Sequence, residues 1–446
     1  MRLRSKTLAL AVSAAAVALS SGFAPAAPRH PDVVSQNAAD YTPQLVATAA
    51  VARPRVDAIT SNAATTYAGG LFNRLTYAGQ TYDRSNLVAF DTATGRVRAR
   101  FAPTFDEAVR AVENVPGGGA YVGGGFTTVN GETHPALTKL TVSGAVDRRF
   151  SPPLRGGIVY DVELVDGHLI VAGNSGKKLM SLDPATGADD GLIDRSITGR
   201  VCSENGACSW GTTAVYDFAV AQGRLAAVGN FAAVDREPRS KFFMLNLRAS
   251  GSPLSRWYYP GFAKPCATNA PRRIANLQGV DWNPRGTAFS VAATGQIPAR
   301  KRDIWYSRLG DRNLRHTTVC DAVGRFTLRD STRPQWINYT GGDSMWTVQD
   351  TGAAVYVQGH FKWVNNPDGY ASRGIGDTTS GRPAVRRSGI AAIDPQSGLA
   401  LSWSPAVPSR RGGRALEATP AGLWVGSDAV KFGPETHYGI AFAPAS

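Results

Sequence analysis

AYVGGGFTTVNGETHPALTKLTVSGAVDRRFSP, residues 120–152, reads as one structural unit. A strand runs into Gly123-Gly124-Gly125-Phe126, a polar loop turns at Asn130-Gly131, and a second strand spans 136–141. Ser143-Gly144 turns the chain again before Phe150-Ser151-Pro152. β-branched and aromatic residues favour the extended stretches, and the Gly and Asn clusters punctuate them.

The plan recurs along the chain. Val56-Asp57-Ala58-Ile59 precedes Tyr67-Ala68-Gly69-Gly70, and Val109-Arg110-Ala111-Val112 precedes the opening stretch. Val159-Tyr160-Asp161-Val162 and Val215-Tyr216-Asp217-Phe218 begin the next two units. Leu277-Gln278-Gly279-Val280, Met345-Trp346-Thr347-Val348 and Ala415-Leu416-Glu417-Ala418 begin the last three. Repeats at such a period belong to propellers and arrays. Asp166-Gly167, Gln222-Gly223 and Thr351-Gly352 suit tight hairpins. Asp91 to Gly95, Asp183 to Gly187 and Asp394 to Gly398 form Asp-x-x-x-Gly turns, in which Asp bonds its own backbone and Gly supplies positive φ. Phe101, Phe150, Trp257, Trp336 and Trp403 then mark a fourth strand. The fold expected is all-β: a propeller of seven blades, each of four antiparallel strands.

The last unit stops after what reads as its third strand. The apolar residues 44–51 are expected to supply the missing fourth, so that the N-terminal segment closes the ring by pairing into the C-terminal blade.

Arg2, Arg4 and Lys6, an apolar run from Thr7 to Leu19, and Ala24-Pro25-Ala26 read as a secretory signal peptide, 1–26. Residues 27–43 read as a flexible segment and 44–446 as one propeller domain. No later stretch has the ~18 apolar residues of a membrane span. The expected address is therefore extracellular, without membrane insertion, and the expected state a monomer. Four cysteines suit that compartment, and proximity pairs Cys202 with Cys208, leaving Cys266 with Cys320. Losing the signal peptide lowers the net charge from +14 to +11. The arginines are scattered and carry no nucleic-acid motif, so nucleic acid is excluded as a partner.

The unit GG-x-F…NG…L…L…SG…F-x-P resembles the delta-sixty repeat of secreted bacterial β-propellers. Trp336 to Asp343, Tyr356 to His360, Trp363 to Pro367 and Gly422 to Asp428 resemble a block of actinobacterial secreted propellers of this type. The resemblance covers nearly everything after Gln44. It implies a fold and an address, and no settled activity.

In such a ring the first strand of each unit lines the channel, and the long loops 196–213, 262–276 and 362–387 share one face. Loops on a rigid scaffold tend to carry binding residues. The third position of the first strands reads Ala58, Ala111, Asp161, Asp217, Gly279, Thr347 and Glu417. Asp161, Asp217 and Glu417, with Asp343 on the same face, are the candidate catalytic carboxylates, suited to acid/base work on a glycosidic bond. His360, Trp363, Asn365, Asn366, Asp428 and Asn230 are the candidate ligand-binding residues, since an aromatic face and amides suit a polyol. No cofactor is expected; Ca²⁺ held by the carboxylates is the alternative. The function expected is recognition of an extracellular glycan or cell-envelope polymer, with a protein as an alternative partner. A glycoside hydrolase or polysaccharide lyase is the second reading and a quinone-dependent dehydrogenase the third. Gly173 to Lys178 lacks P-loop spacing, and HExxH and GxSxG are absent.

Overall fold

The computed structural model describes residues 28–203, 206–295, 316–409 and 411–446. The expected signal peptide lies outside the described residues. The described chain is all-β, built from many small antiparallel sheets.

Seven of these sheets carry the repeat. Their first strands are Arg55–Ser61, Val109–Asn114, Val159–Val165, Ala214–Ala221, Asn276–Trp282, Met345–Asp350 and Ala415–Thr419. Each pairs with the next strand in sequence, which pairs in turn with a third. In the second sheet Val109 faces Gly124 and Leu137 faces Gly123. Each first strand also lies beside the first strand of the following sheet, and the seventh lies beside the first.

The hydrophobic cores sit between consecutive sheets rather than within them. Tyr67 and Leu87 of the first pack on Val109, Val112 and Val122 of the second. Val56, Ile59, Ala68 and Phe90 of the first pack on Ala415, Trp424 and Phe442 of the seventh. Phe90 meets Trp424 edge-on at 5.6 Å. Each such aromatic, fully withdrawn from water, contributes about 1.5–3 kcal/mol.

The paired glycines of the repeat are required by this packing. A Cβ on Gly124 would sit 2.5 Å from the Ala108 carbonyl oxygen, and one on Gly123 would sit 2.4 Å from Val159 Cγ1 of the next sheet. No other residue lets the backbones approach so closely. In six first strands the pairing skips one residue: Asp57, Arg110, Tyr160, Tyr216, Gln278 and Trp346. A bulge re-aims the skipped side chain out of the ladder.

The expected Asp-x-x-x-Gly turns are present. Asp91 Oδ1 accepts the backbone N–H and the hydroxyl of Thr94, and Gly95 has φ 74°. Two expectations are corrected. Among the described residues only the fifth sheet has a fourth strand, Trp336–Tyr339. In the other units Phe101, Phe150, Trp257 and Trp403 are soon followed by Pro103, Pro152, Pro260 and Pro405. Proline has no N–H for the ladder. Those aromatics dock by packing instead, as Trp403 does edge-on against Tyr356 at 5.2 Å.

The second correction concerns the N-terminal segment. Gln44–Leu45 pairs with Arg74–Tyr77 rather than with the seventh sheet, and 46–51 form no strand. It is 35–39, expected to be flexible, that runs along the last strand of the seventh sheet, Ile440–Pro444. Ser35 N donates to Pro444 O and Ala39 N to Phe442 O, both at 2.8 Å. Leu45 N adds a bond to Tyr438 O. Val34 is buried beside Tyr356 and Trp403. The apolar run 44–51 was the stronger hydropathy signal, but the edge it would pair with is already met by residues ten positions earlier.

Cys202–Cys208 and Cys266–Cys320 are both disulfide-bonded. Among the described residues no helix is long and apolar enough to cross a membrane.

Candidate functional site

All seven first strands line one cavity of about 880 Å³. It has two levels, because residues at the start and the middle of each strand reach it at different depths.

The upper level, where the first strands begin, is set by the bulges. Asp57, Arg110, Tyr160, Tyr216, Gln278 and Trp346 all reach the cavity, with Arg414 just before the seventh strand. Tyr160 meets Tyr216 edge-on at 5.2 Å. Arg55 Nε lies 3.0 Å and Arg110 3.7 Å from the Asp57 carboxylate. Arg414 is exposed and lies over Trp346, its guanidinium carbon 3.9 Å from the ring centre. Among the described residues Arg414 has no carboxylate within ion-pair distance and no hydrogen-bond partner. Trp346 Nε1 is buried and unpartnered. Burial pulls the Arg414 guanidinium down to about 10; Asp57 opposes this, and Arg110 and Arg55 add to it. It stays charged at neutral pH.

The lower level is acidic, and three of its aspartates accept backbone N–H groups. Asp161 accepts the backbone N–H of Val162 at 2.8 Å and that of Phe218, in the next sheet, at 3.1 Å. Asp217 accepts Val280 N at 2.7 Å, again one sheet on. Asp281 accepts Trp282 N, Asp350 N and Gln349 Nε2. These carboxyls stitch each first strand to its neighbour. Asp161 and Asp217 interact closely enough that they titrate as a pair.

These groups touch the water of the cavity yet have protein on every side, which disfavours the ionised form. Burial pushes Asp161 up to about 6. It raises Glu113 to about 8, with help from Asp161. Asp217, Asp281, Glu163 and Glu417 are held well above the usual carboxylate range, chiefly by burial and then by their acidic neighbours.

The structure thus brings Asp161, Asp217 and Glu417 into one cavity. Asp343 lies apart from it: 8% exposed, its Oδ1 4.0 Å from His360 Nε2 and its Oδ2 unpartnered. Burial raises its pKa, opposed by His360 and Lys362. His360 meets the rim through Trp346, ring centres 6.4 Å apart.

The amide candidates are turned inward. Asn366 is fully buried, donates to the carbonyls of Thr340, Tyr370 and Arg373, and accepts from Ile375 and Gly376. Asn365 exchanges bonds with Asn338 and holds Ala400 N. Asn230 ties Ser209, Trp210 and Thr212 to its own strand. Asp428 accepts from Ser409 Oγ and Arg411 N. Trp363 is half-buried, its ring closed on one side by Gly374, where a Cβ would lie 2.5 Å away. These residues shape the long loops and leave little for a ligand.

The sequence reading passed over Arg110, Arg414, Trp346, Glu113, Glu163 and Asp281. A usable signal was the second position of the first six repeats, where Asp57, Arg110, Tyr160, Tyr216, Gln278 and Trp346 are all polar or aromatic. Among the described residues no group of three or more His, Cys, Asp or Glu is placed to hold a metal ion.

No family model and no curated protein matches the chain. Among solved structures it is similar to a computationally designed protein, Ika8, at 10% identity and TM-score 0.45, over 90% of this chain and 98% of that one. It is also similar to the extracellular domain of a one-component system, BT4673 from B. thetaiotaomicron, at 9% identity and TM-score 0.43. That match covers 90% of this chain and 39% of the other.

Proposed function

We propose that the protein is a secreted, seven-bladed β-propeller that recognises an extracellular glycan or cell-envelope polymer at the mouth of its channel. The closed circuit of first strands and the cores between consecutive sheets support the ring. Two disulfides and the signal-like N-terminus support the address. One observation carries the function. The mouth offers Trp346, Tyr160, Tyr216 and two arginines to a ligand, while the interior carboxyls that hydrolysis would need are engaged by backbone N–H groups. Convergent polar and aromatic groups around a preformed cavity suit ligand binding.

A hydrolase is the second reading, favoured by Asp343 alone, whose unpartnered oxygen and raised pKa beside His360 would suit a general acid. The test is an array of glycans and wall polymers probed with the protein, with release of reducing ends measured in the same wells. Retention without release is expected. Release that disappears in Asp343→Asn or Asp217→Asn would replace recognition by catalysis.

A further inference from the structure

We propose that the channel mouth is an oxyanion site, in which the guanidinium forks of Arg414 and Arg110 receive a carboxylate or phosphate carried by a sugar polymer. This inference rests on the recognition reading above and narrows its ligand to acidic chains.

Three features of the mouth lead to it. The first is Arg414. Arg414 is exposed at the mouth, lies over the face of Trp346 and has no acceptor among the described residues, so its N–H groups are available to an anion. The second is the local charge. Among the described residues Arg55 and Arg110 pair with Asp57, and Arg414 pairs with no acid. Both Arg110 and Arg414 lie near enough to the Tyr160 hydroxyl to favour its ionisation, so the two forks share one space. The third is the buried Trp346 Nε1–H, a further donor beside the fork with nothing to bond.

Burial raises Asp161, Asp217, Glu113, Glu163, Asp281 and Glu417 above the usual carboxylate range, which weakens the negative field of the lower level beneath the arginines. An acidic sugar chain supplies the missing partner at its charged group and can lay a ring against Tyr160 and Tyr216, whose edges form one wall.

Calorimetric titration tests this with four probes: an oligogalacturonate, its methyl ester, a glycerol-phosphate oligomer and inorganic phosphate. The acid oligomer is expected to bind at least about tenfold more tightly than its ester, with affinity falling as salt rises. Arg414→Gln is expected to lose at least about tenfold, and Arg414→Lys to recover only part, because a lysine lacks the fork. Unchanged melting of Arg414→Gln rules out a folding defect. Preference for galacturonate or glycerol phosphate identifies which oxyanion the site takes. Equal binding of acid and ester, indifferent to Arg414→Gln, overturns the oxyanion site and leaves glycan recognition standing. Phosphate binding that depends on Arg414, with neither oligomer held, keeps the site and overturns the glycan reading. Failure of every charged probe to bind overturns the inference.

Discussion

At the mouth, Arg414 rests on Trp346 with no acceptor for its N–H groups among the described residues; further along the same strands, Asp217 and Asp281 accept backbone N–H groups of the neighbouring sheet. Both regions present charged side chains to one cavity. The difference lies in what the fold needs from them. A first strand packed beside another first strand has N–H groups that no ladder takes, and a carboxyl one sheet back can accept them. Such groups belong to the architecture. Among the described residues nothing pairs with the exposed Arg414 fork, which leaves it available to a ligand. Shared location in a cavity is thus a poor guide to function, and the state of the hydrogen bonds is a better one.

The contrast is open to test. Asp281→Ala should have the largest effect, leaving two backbone N–H groups and one amide without acceptors, at a loss of about 3 kcal/mol or more in urea denaturation. Asp281→Asn keeps an acceptor and imitates the protonated acid, so it should lose far less; an equal loss would mean the charge itself matters there. Asp217→Ala, which orphans Val280 N, should cost about 1–3 kcal/mol on the same measurement.

A pH series sharpens the picture of a protonated interior. Glu113 is raised to about 8 and Asp161 to about 6. Between pH about 4, where the unfolded chain releases these protons, and the folded values, the folded state holds more protons than the unfolded one. Stability must therefore be highest below about pH 4 with respect to these groups and decline as pH rises through 6 to 8. Glu113→Gln should flatten that decline, gaining on the order of 1–2 kcal/mol at pH 8 over its effect at pH 4, a discounted figure because the cavity holds water. A parallel pair of curves would show Glu113 to be ionised throughout. The smallest effect is expected at the mouth, where Arg414→Gln should leave stability within about 0.5 kcal/mol or raise it slightly. A large loss there would move Arg414 into the architecture.

Much of this was legible in the sequence. The Gly-Gly pairs, Asp-x-x-x-Gly turns and hairpin dipeptides placed the sheets, because each marks a backbone conformation that few residues tolerate. Aligning third positions found Asp161, Asp217 and Glu417. It missed Asp281 and Glu163 because they lie two residues further on, and it gave no hint that carbonyl-like service to a neighbouring strand was their role. Arg414 escaped because it precedes its strand, outside any aligned window. The fourth strands were misread because the aromatics that mark them are read more readily than the prolines that stop them. Asn366 looked like a sugar ligand because composition cannot tell an amide facing out from one holding four backbone groups of its own loop and the Thr340 carbonyl.

The bonds from Ser35 to Pro444 and from Ala39 to Phe442 have a kinetic meaning. They join residues some four hundred positions apart, so they form only when both ends of the chain have been made. Residues 35–39 leave the ribosome some four hundred residues before 440–444 and must wait for them. Once made, and until 35–39 dock, the outer edge of Ile440–Pro444 is an uncovered strand, ready to pair with whatever extended peptide meets it. Long-range closure of this kind is slow. The moment of greatest risk for this protein should be the last step of folding, when a stray neighbour competes with its own beginning for the same edge.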